Sequence, residues 1–456
     1  MKALHGAVGI GGEHNDFEEQ QLAPLMDRIA ASPTPLPART DVVVIGGGIA
    51  GASTALYLAE KGVAVTLCEK GEIGAEQSGR NWGWVRVMGR DAREIPLSLA
   101  SLRLWDDLDR LTGVQTGFRR AGIIYTCDSA KDIAGYEAWL AQAREHQIAT
   151  RLLDPAQLAA LVPGAARGFA GAVYTPDDAR AEPQKAAPAI ATGARAKGAA
   201  VHTGCAVRAI ETAAGRVSGV VTEHGPIACS SVVLAGGAWS RLFCGNLGID
   251  LPALKTIGSV ARTVPLPGGP ELAVGGSDFA FRKRLDGGYT IARRGAMVSE
   301  LTPDHFRLFF DFLPALRSLW HELRLRVGGR FLEDWRVRKR WRADEVSPFE
   351  EVRMLDPAPS DALLDEGHRN LAAAYPFFKD AQIADRWGGI IDVTPDAVPV
   401  ISAVDAVPGF YIASGFSGHG FGLGPGAGRL MADLVAGDAP LVDPAPFRFS
   451  RFARGR

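Results

Sequence analysis

Six consecutive residues carry the clearest chemical meaning: Gly46, Gly47, Gly48, Ile49, Ala50 and Gly51 fit the pattern G-x-G-x-x-G. In such a run the first glycine allows a tight turn and the second lets backbone N–H groups approach a pyrophosphate. The third lets a helix pack close to a strand. The phosphate would sit at the N-terminus of a helix starting at Ile49, where free N–H groups and the dipole favour an anion. Glu69 lies 18 residues past Gly51, the spacing of a carboxylate that accepts from an adenosine ribose hydroxyl. Arg86 follows 17 residues later, and a guanidinium is suited to bidentate contact with a substrate carboxylate. Trp82 and Trp84 flank Gly83 beside it, suited to wall an amine pocket or to pack in a core. His419 stands between two glycines, and Arg282 and Arg284 alternate on an expected strand. Asp392 could accept a substrate ammonium or serve the structure. No Ser-His-Asp order and no metal-ligand cluster stands out.

The elements that must hold these residues can be read from periodicity. DVVVIGGG is an apolar, β-branched run closed by glycines, as a buried parallel strand should be. A helix over 49–61 and a strand in VAVTLCE complete a β-α-β unit. Further helices are expected over 98–111, 133–145 and 181–197, and strands over 122–126 and 199–202. A hairpin follows in AVRAIETAAGRVSGVVTEHG and a buried strand in SSVVLAGG. Residues 250–295 alternate like antiparallel strands. A long helix is expected over 303–327, kinked or split at Pro314, then a last strand from 409 and a last helix over 426–435. The leader 1–40 contains an expected helix over 16–31 and a proline-rich spacer. The fold class is therefore α/β (α+β): a Rossmann-like dinucleotide-binding domain from 41–95, 165–242 and 384–435, and a discontinuous antiparallel-sheet substrate domain from 96–164 and 243–383. Residues 436–456 are a tail.

The fingerprint alone does not separate NAD from FAD, but three distant small-residue segments do: GAEQSGRNWGWVR after Glu69, VVLAGGAWS over 232–240, and GFSGHGFGLGPGAG over 415–428. Each suits a backbone lying against a flat ring. With these motifs the chain resembles the D-amino-acid oxidase (DAO) superfamily of FAD-dependent amine and amino-acid oxidoreductases, from about 41 to 435. Ser78-Gly79-Arg80-Asn81 resembles the equivalent stretch of sarcosine oxidase β subunits, and 415–421 resembles the C-terminal motif of monomeric sarcosine oxidase. The resemblance implies FAD contacts from Gly46, Gly48, Ile49, Ala50, Gly51, Glu69 and Lys70. Further contacts fall on Ser78, Arg80, Asn81 and Trp82, on Val207, and on Ala235, Gly236 and Trp239. Gly389, Gly415, Gly418, His419, Gly420, Phe421 and Gly422 close the set. It places Arg86 on the substrate carboxylate, with His419 as a second catalytic candidate. Relatives that link FAD covalently do so at positions occupied here by Gly389 and Asn81, which implies non-covalent FAD. An oxygen-activating lysine is replaced by about Thr290, so oxygen, a quinone or an electron carrier remain alternative acceptors. The implied reaction is C–N oxidation of an amino acid or amine to an imine that water hydrolyses. C–O oxidation of a 2-hydroxy acid or glycerol-3-phosphate, or an FAD-binding subunit role, stand as alternatives.

Composition bounds the rest. The 456 residues are 47% hydrophobic and 22% charged with a net charge of −1, so neither disorder nor a global affinity for nucleic acid is indicated. The cysteines Cys68, Cys127, Cys205, Cys229 and Cys244 are scattered and odd in number, as in a reducing compartment. No secretory signal and no 18-residue apolar run is read, so a soluble, cytoplasmic protein is expected, with a homo-oligomer left open.

Overall fold

The computed structural model describes residues 26–29, 32, 34–319 and 323–452. Most of the helix expected over 16–31 lies outside them, and 26–29 run without regular structure. The first sheet has six strands in the order Val400–Ala403, Phe410–Ser414, Ser231–Leu234, Val42–Ile45, Val65–Cys68, Ala200–His202. All neighbours are parallel except Val400–Ala403 against Phe410–Ser414. The strand Val42–Ile45 is buried along its whole length, as its unbroken β-branched sequence requires. Ile49–Glu60 crosses to the next strand and packs against two later helices, Pro183–Ala196 and Gly420–Ala436. A Cβ on Gly428 would lie 2.3 Å from the Ser53 Cβ, so the contact between two of these helices depends on a bare backbone.

The second sheet has ten strands and roofs the first. Its longest pairing sets Leu254–Thr263 antiparallel to Ile383–Val393. Two parallel pairs interrupt it, Ala273–Gly275 with Ile123–Cys127 and Met297–Glu300 with Leu323–Arg326. A separate core of Phe281, Tyr289, Tyr375 and Phe378 lies under it.

Several elements differ from their sequence reading. The helix expected over 98–111 runs Ile95–Thr112 and buries Leu97, Leu102, Trp105 and Leu108 in the core of the first sheet's helices, not under the roof. The strands Gly171–Thr175 and Ile383–Val393 belong to the second sheet, although their segments were placed with the first. Alternation reveals a strand but not the sheet that receives it. The helix expected over 303–327 is two helices, Pro303–Arg307 and Phe309–Leu319, parted at Leu308 rather than at Pro314. The strand Leu323–Arg326 follows. The last helix starts at Gly420 rather than Gly426, because packing against Ile49, Ser53 and Ser101 overrides the poor helix propensity of glycine.

Candidate functional site

At the C-terminal edge of the first sheet lies an elongated cavity of about 1250 Å³, including its open mouth. Its floor is the glycine turn. Gly46 has φ +104°, its N–H donates to the Cys68 carbonyl at 2.9 Å, and a Cβ on Gly51 would sit 2.0 Å from the Gly46 oxygen. Glu69 ties this turn to the next strand: its carboxylate accepts from Gly47 N–H at 2.6 Å and from Gly71 N–H at 2.7 Å. Burial pushes the Glu69 carboxyl up despite these donors. The helix from Ile49 has no side-chain cap and no acidic residue in its first turn, so its positive end is left for a ligand. Ser78 Oγ accepts one of its N–H groups, that of Ile49, at 2.9 Å.

Gly46, Gly48, Ile49, Ala50, Glu69 and Lys70 line this cavity. So do Ser78, Asn81 and Val207, and across from them Ala235, Gly236 and Trp239. Gly418, Gly420 and Phe421 line the far end. Lys70 lies 4.6 Å over the Trp239 ring and pairs with Glu76 at 2.7 Å, while Trp239 Nε1 donates to Glu76 at 3.0 Å. The lining residue Gln77 has a buried Oε1 without a hydrogen-bond partner, an acceptor waiting for a ligand donor. An open helix N-terminus, a buried carboxylate beside a glycine turn, and an orphaned amide oxygen are the donor and acceptor set that a dinucleotide needs.

A family model described as FAD dependent oxidoreductase, DAO, matches residues 41–434. The chain belongs to the DAO family of FAD-dependent oxidoreductases. Glycine oxidase of Pseudomonas aeruginosa is 28% identical over 89% of this chain and 97% of its own. Sarcosine oxidase subunit beta of Rhodobacter capsulatus is 26% identical over 93% and 91%. Among solved structures, L-amino acid deaminase of Proteus myxofaciens, in complex with anthranilate, superposes with TM-score 0.91 at 34% identity, covering 94% of this chain and 97% of that one. This DAO-family chain is thus an FAD-dependent enzyme, and the cavity residues fit its cofactor.

Other expected site residues are placed differently. Arg80 is buried, donating to the carbonyls of Ala75 at 2.8 Å and Gly388 at 3.0 Å and to Asp356, so it ties two loops to the strand Ile383–Val393 rather than facing the cavity. Arg282 is fully buried in a two-pronged pair with Glu182 at 2.9 and 3.0 Å, and Arg284 pairs with Asp286 at 3.1 Å. Both face protein acids, and neither lines the cavity. Asp392 borders the cavity, but its carboxylate accepts from Ser414 Oγ at 3.1 Å and Gly415 N–H at 2.5 Å. It pins the 414–417 turn instead of awaiting an ammonium. Gly389 packs beside Gln77 and Arg80, and Gly415 has φ +75° against Thr394. Gly422 faces the backbone of Val85, 3.4 Å from where its Cβ would be. That contact brings the strand Trp84–Val85, and with it Arg86, against the helix whose first turn lines the cavity.

Arg86 is half-buried, and its Nη1 donates to the Met88 carbonyl. Its segment is held by buried Asp178, which accepts from Val87 N–H at 2.7 Å and Met88 N–H at 3.3 Å. Burial pushes the Asp178 carboxyl up to about 7. Trp82 and Trp84 meet edge-on at 5.4 Å, and Trp84 and Tyr136 both pack on Tyr125, at 5.7 and 6.0 Å. Trp82, though half-buried beside this stretch, does not line the cavity. Beside Arg86 and His419, which like them are not among the cavity's lining residues, stand others that sequence reading did not nominate. Arg294 lies 4.1 Å over the Tyr125 ring and Arg86 5.8 Å over it. Buried Glu94 accepts from His419 Nδ1 through Oε1 at 3.1 Å. Gln77 was within reach of the SGRN stretch; Arg294 and Glu94 carried no signal, since only the fold brings them here.

Burial, with Arg90 and Arg86 nearby, pulls His419 down to about 4. It is neutral at neutral pH, with Nδ1–H donated to Glu94. As pH falls below the ordinary histidine value near 6.5, the unfolded chain takes up a proton that folded His419 refuses. Its contribution to stability is thus present above 6.5 and is lost between 6.5 and about 4. Unfolding free energies from urea titration should fall over that window by up to about 3 kcal/mol more in the native chain than in His419→Asn. Parallel curves would refute the assignment.

Proposed function

We propose that the enzyme dehydrogenates L-α-amino acids with apolar side chains and delivers the electrons to a carrier other than oxygen. The broader activity is oxidation of the C–N bond of an amino acid or related amine, which accords with the family and with the named activities of its relatives. One observation carries the substrate reading: two guanidinium groups, Arg86 and Arg294, converge on one aromatic ring inside a wall of tryptophan and tyrosine. Arginine over an aromatic face, away from bulk water, is a strong carboxylate receptor. The aromatic wall suits an apolar side chain. The L configuration draws on the likeness to L-amino acid deaminases of Proteus myxofaciens and Proteus vulgaris, at 34% and 31% identity.

Bound FAD supplies the two-electron oxidant. The chain's own residues position the substrate, which reacts as the free amine. Arg86 holds the carboxylate, Trp82 and Trp84 exclude water, and Glu94 fixes the tautomer of neutral His419, which adds no positive charge beside the amine. Thr290, in the buried strand Tyr289–Ala292, stands where the resemblance puts an oxygen-activating lysine, and this favours a dehydrogenase. The deciding experiment is anaerobic flavin bleaching with L- and D-amino acids, glycine, N-methyl amino acids and polyamines, followed by oxygen. Bleaching by apolar L-amino acids with slow reoxidation is expected. Bleaching by glycine or N-methyl substrates alone would sink the reading. Gly389 and Asn81 offer no nucleophile for a covalent link, so acid precipitation should leave all flavin in the supernatant. A yellow pellet would refute that.

A further inference from the structure

All five cysteines are free and buried, and the chemistry described so far uses none of them. Two of the five stand together. Cys68 ends the strand Val65–Cys68 and Cys205 follows the strand Ala200–His202, and these strands run parallel with Cys68 in register with His202. Beyond the strand ends the two segments stay laced. Glu69 N–H donates to the His202 carbonyl at 2.8 Å, Cys205 N–H to the Glu69 carbonyl at 2.8 Å, and Gly204 N–H to the Gly71 carbonyl at 3.1 Å. This lacing brings the side chains together, and the Cys68 thiol donates a hydrogen bond to the Cys205 sulfur. The bond holds Cys205 below the ordinary thiol range and, with burial, pushes Cys68 up. Cys205 is thus the better nucleophile, and Cys68 the thiol that keeps its proton.

Both cysteines line the FAD cavity, together with their near neighbours Glu69 and Val207, and none of the other three does. Each is only 1% exposed, so a reagent that reaches them must be small and must come through that cavity. FAD held there closes the approach. A hydrogen-bonded thiol pair must close to about 2 Å between sulfurs to become a disulfide. That movement falls on the backbone at Glu69 and at residues 206–207, which border the space the cofactor fills.

We propose that Cys68 and Cys205 are a redox modification site, which hydrogen peroxide converts to a disulfide when the FAD cavity is empty, and that the disulfide weakens FAD binding. This goes beyond C–N oxidation and depends on neither its substrate nor its acceptor. The Cys205 thiolate attacks one peroxide oxygen, the O–O bond breaks, and the other oxygen leaves with a proton as water. The Cys68 sulfur then displaces the hydroxyl of the Cys205 sulfenic acid, which leaves as a second water. Two thiols lose two electrons and two protons, and one peroxide becomes two waters. By reciprocity, tenfold weaker binding of FAD to the disulfide means that bound FAD raises the pair's reduction potential by about 30 mV. The loaded enzyme therefore stays a dithiol.

The test compares the FAD-saturated holoenzyme with the full chain stripped of flavin, once the stripped chain has been shown to reload fully. Both meet hydrogen peroxide, catalase stops the reaction, and thiols are counted in denaturant. The stripped chain should fall from five thiols to three, with Cys68 joined to Cys205 in a peptide map. It should then bind FAD at least tenfold more weakly by fluorescence titration, and dithiothreitol should reverse both changes. The holoenzyme should keep all five thiols at the same exposure. Cys205→Ala, whatever its starting affinity, should bind FAD equally before and after peroxide. Cys68→Ala should stop at a Cys205 sulfenic acid that dimedone traps. Cys127→Ala, in the second sheet, should respond as the native chain does. Five thiols left in the stripped native chain, a link through Cys229 in place of either residue, or unchanged FAD affinity in the linked chain would each overturn the proposal. Equal oxidation of the holoenzyme would overturn the protection by bound cofactor.

Discussion

Arg86→Ala should purify with full flavin and an unchanged melting temperature, yet lose about 30- to 1000-fold in kcat/KM for a carboxylate substrate. The figure follows from a charged hydrogen-bond pair of about 2–4 kcal/mol, lost in a partly desolvated setting. The fold should tolerate the change, because the segment is fixed by other contacts. Asp178 accepts from Val87 and Met88, and Trp84 packs on Tyr125. Arg86 itself contributes one hydrogen bond to a carbonyl and a ring contact at 5.8 Å. Arg86→Lys should recover only part of the activity, since an ammonium keeps the charge but not the bidentate geometry. Rapid-reaction measurement of flavin reduction decides the matter. An unchanged limiting rate and half-saturation would take Arg86 out of the site and favour a substrate without a carboxylate.

What could be read in advance was whatever is local. The first β-α-β unit, its glycine turn and Glu69 occupy fewer than thirty consecutive residues, and hydrophobic period and spacing specify them together. Reading failed where the deciding partner is distant. Arg80, Arg282 and Arg86 are alike as residue types, but Asp356 and Glu182 claim the first two from 276 and 100 residues away, while a carbonyl takes one nitrogen of the third. Asp392 has the right type for an amine partner, yet its own chain turns back 22 residues later to use it. The strands at 171–175 and 383–393 alternate as well as any in the first sheet, and only tertiary pairing sends them to the second.

Gly51→Ala and Gly48→Val should both yield colourless protein, for different reasons that one pair of measurements separates. A Cβ on Gly51 would fall 2.0 Å from the Gly46 oxygen and 3.2 Å from the Ala235 Cβ, so backbone must move. Gly46 has nowhere to go: its φ of +104° admits only glycine readily, its N–H is bonded to Cys68, and a Cβ there would meet the Ala235 oxygen at 2.5 Å. The turn and the helix behind it should therefore distort together. Gly51→Ala is expected to lose at least nine-tenths of its FAD and to melt several degrees lower as apoprotein. Gly48 differs, because the nearest atom to its Cβ is Ser78 Oγ at 3.1 Å, and its φ of −66° suits any residue. Valine there should leave the apoprotein's melting temperature nearly unchanged while filling the space of the pyrophosphate. Gly62→Ala is the control for glycine strain away from the ligand, since φ is +77° with nothing within 4 Å. It should cost about 1 kcal/mol and keep its flavin. A fully yellow Gly48→Val protein would show that the cofactor's phosphates do not pass over this turn.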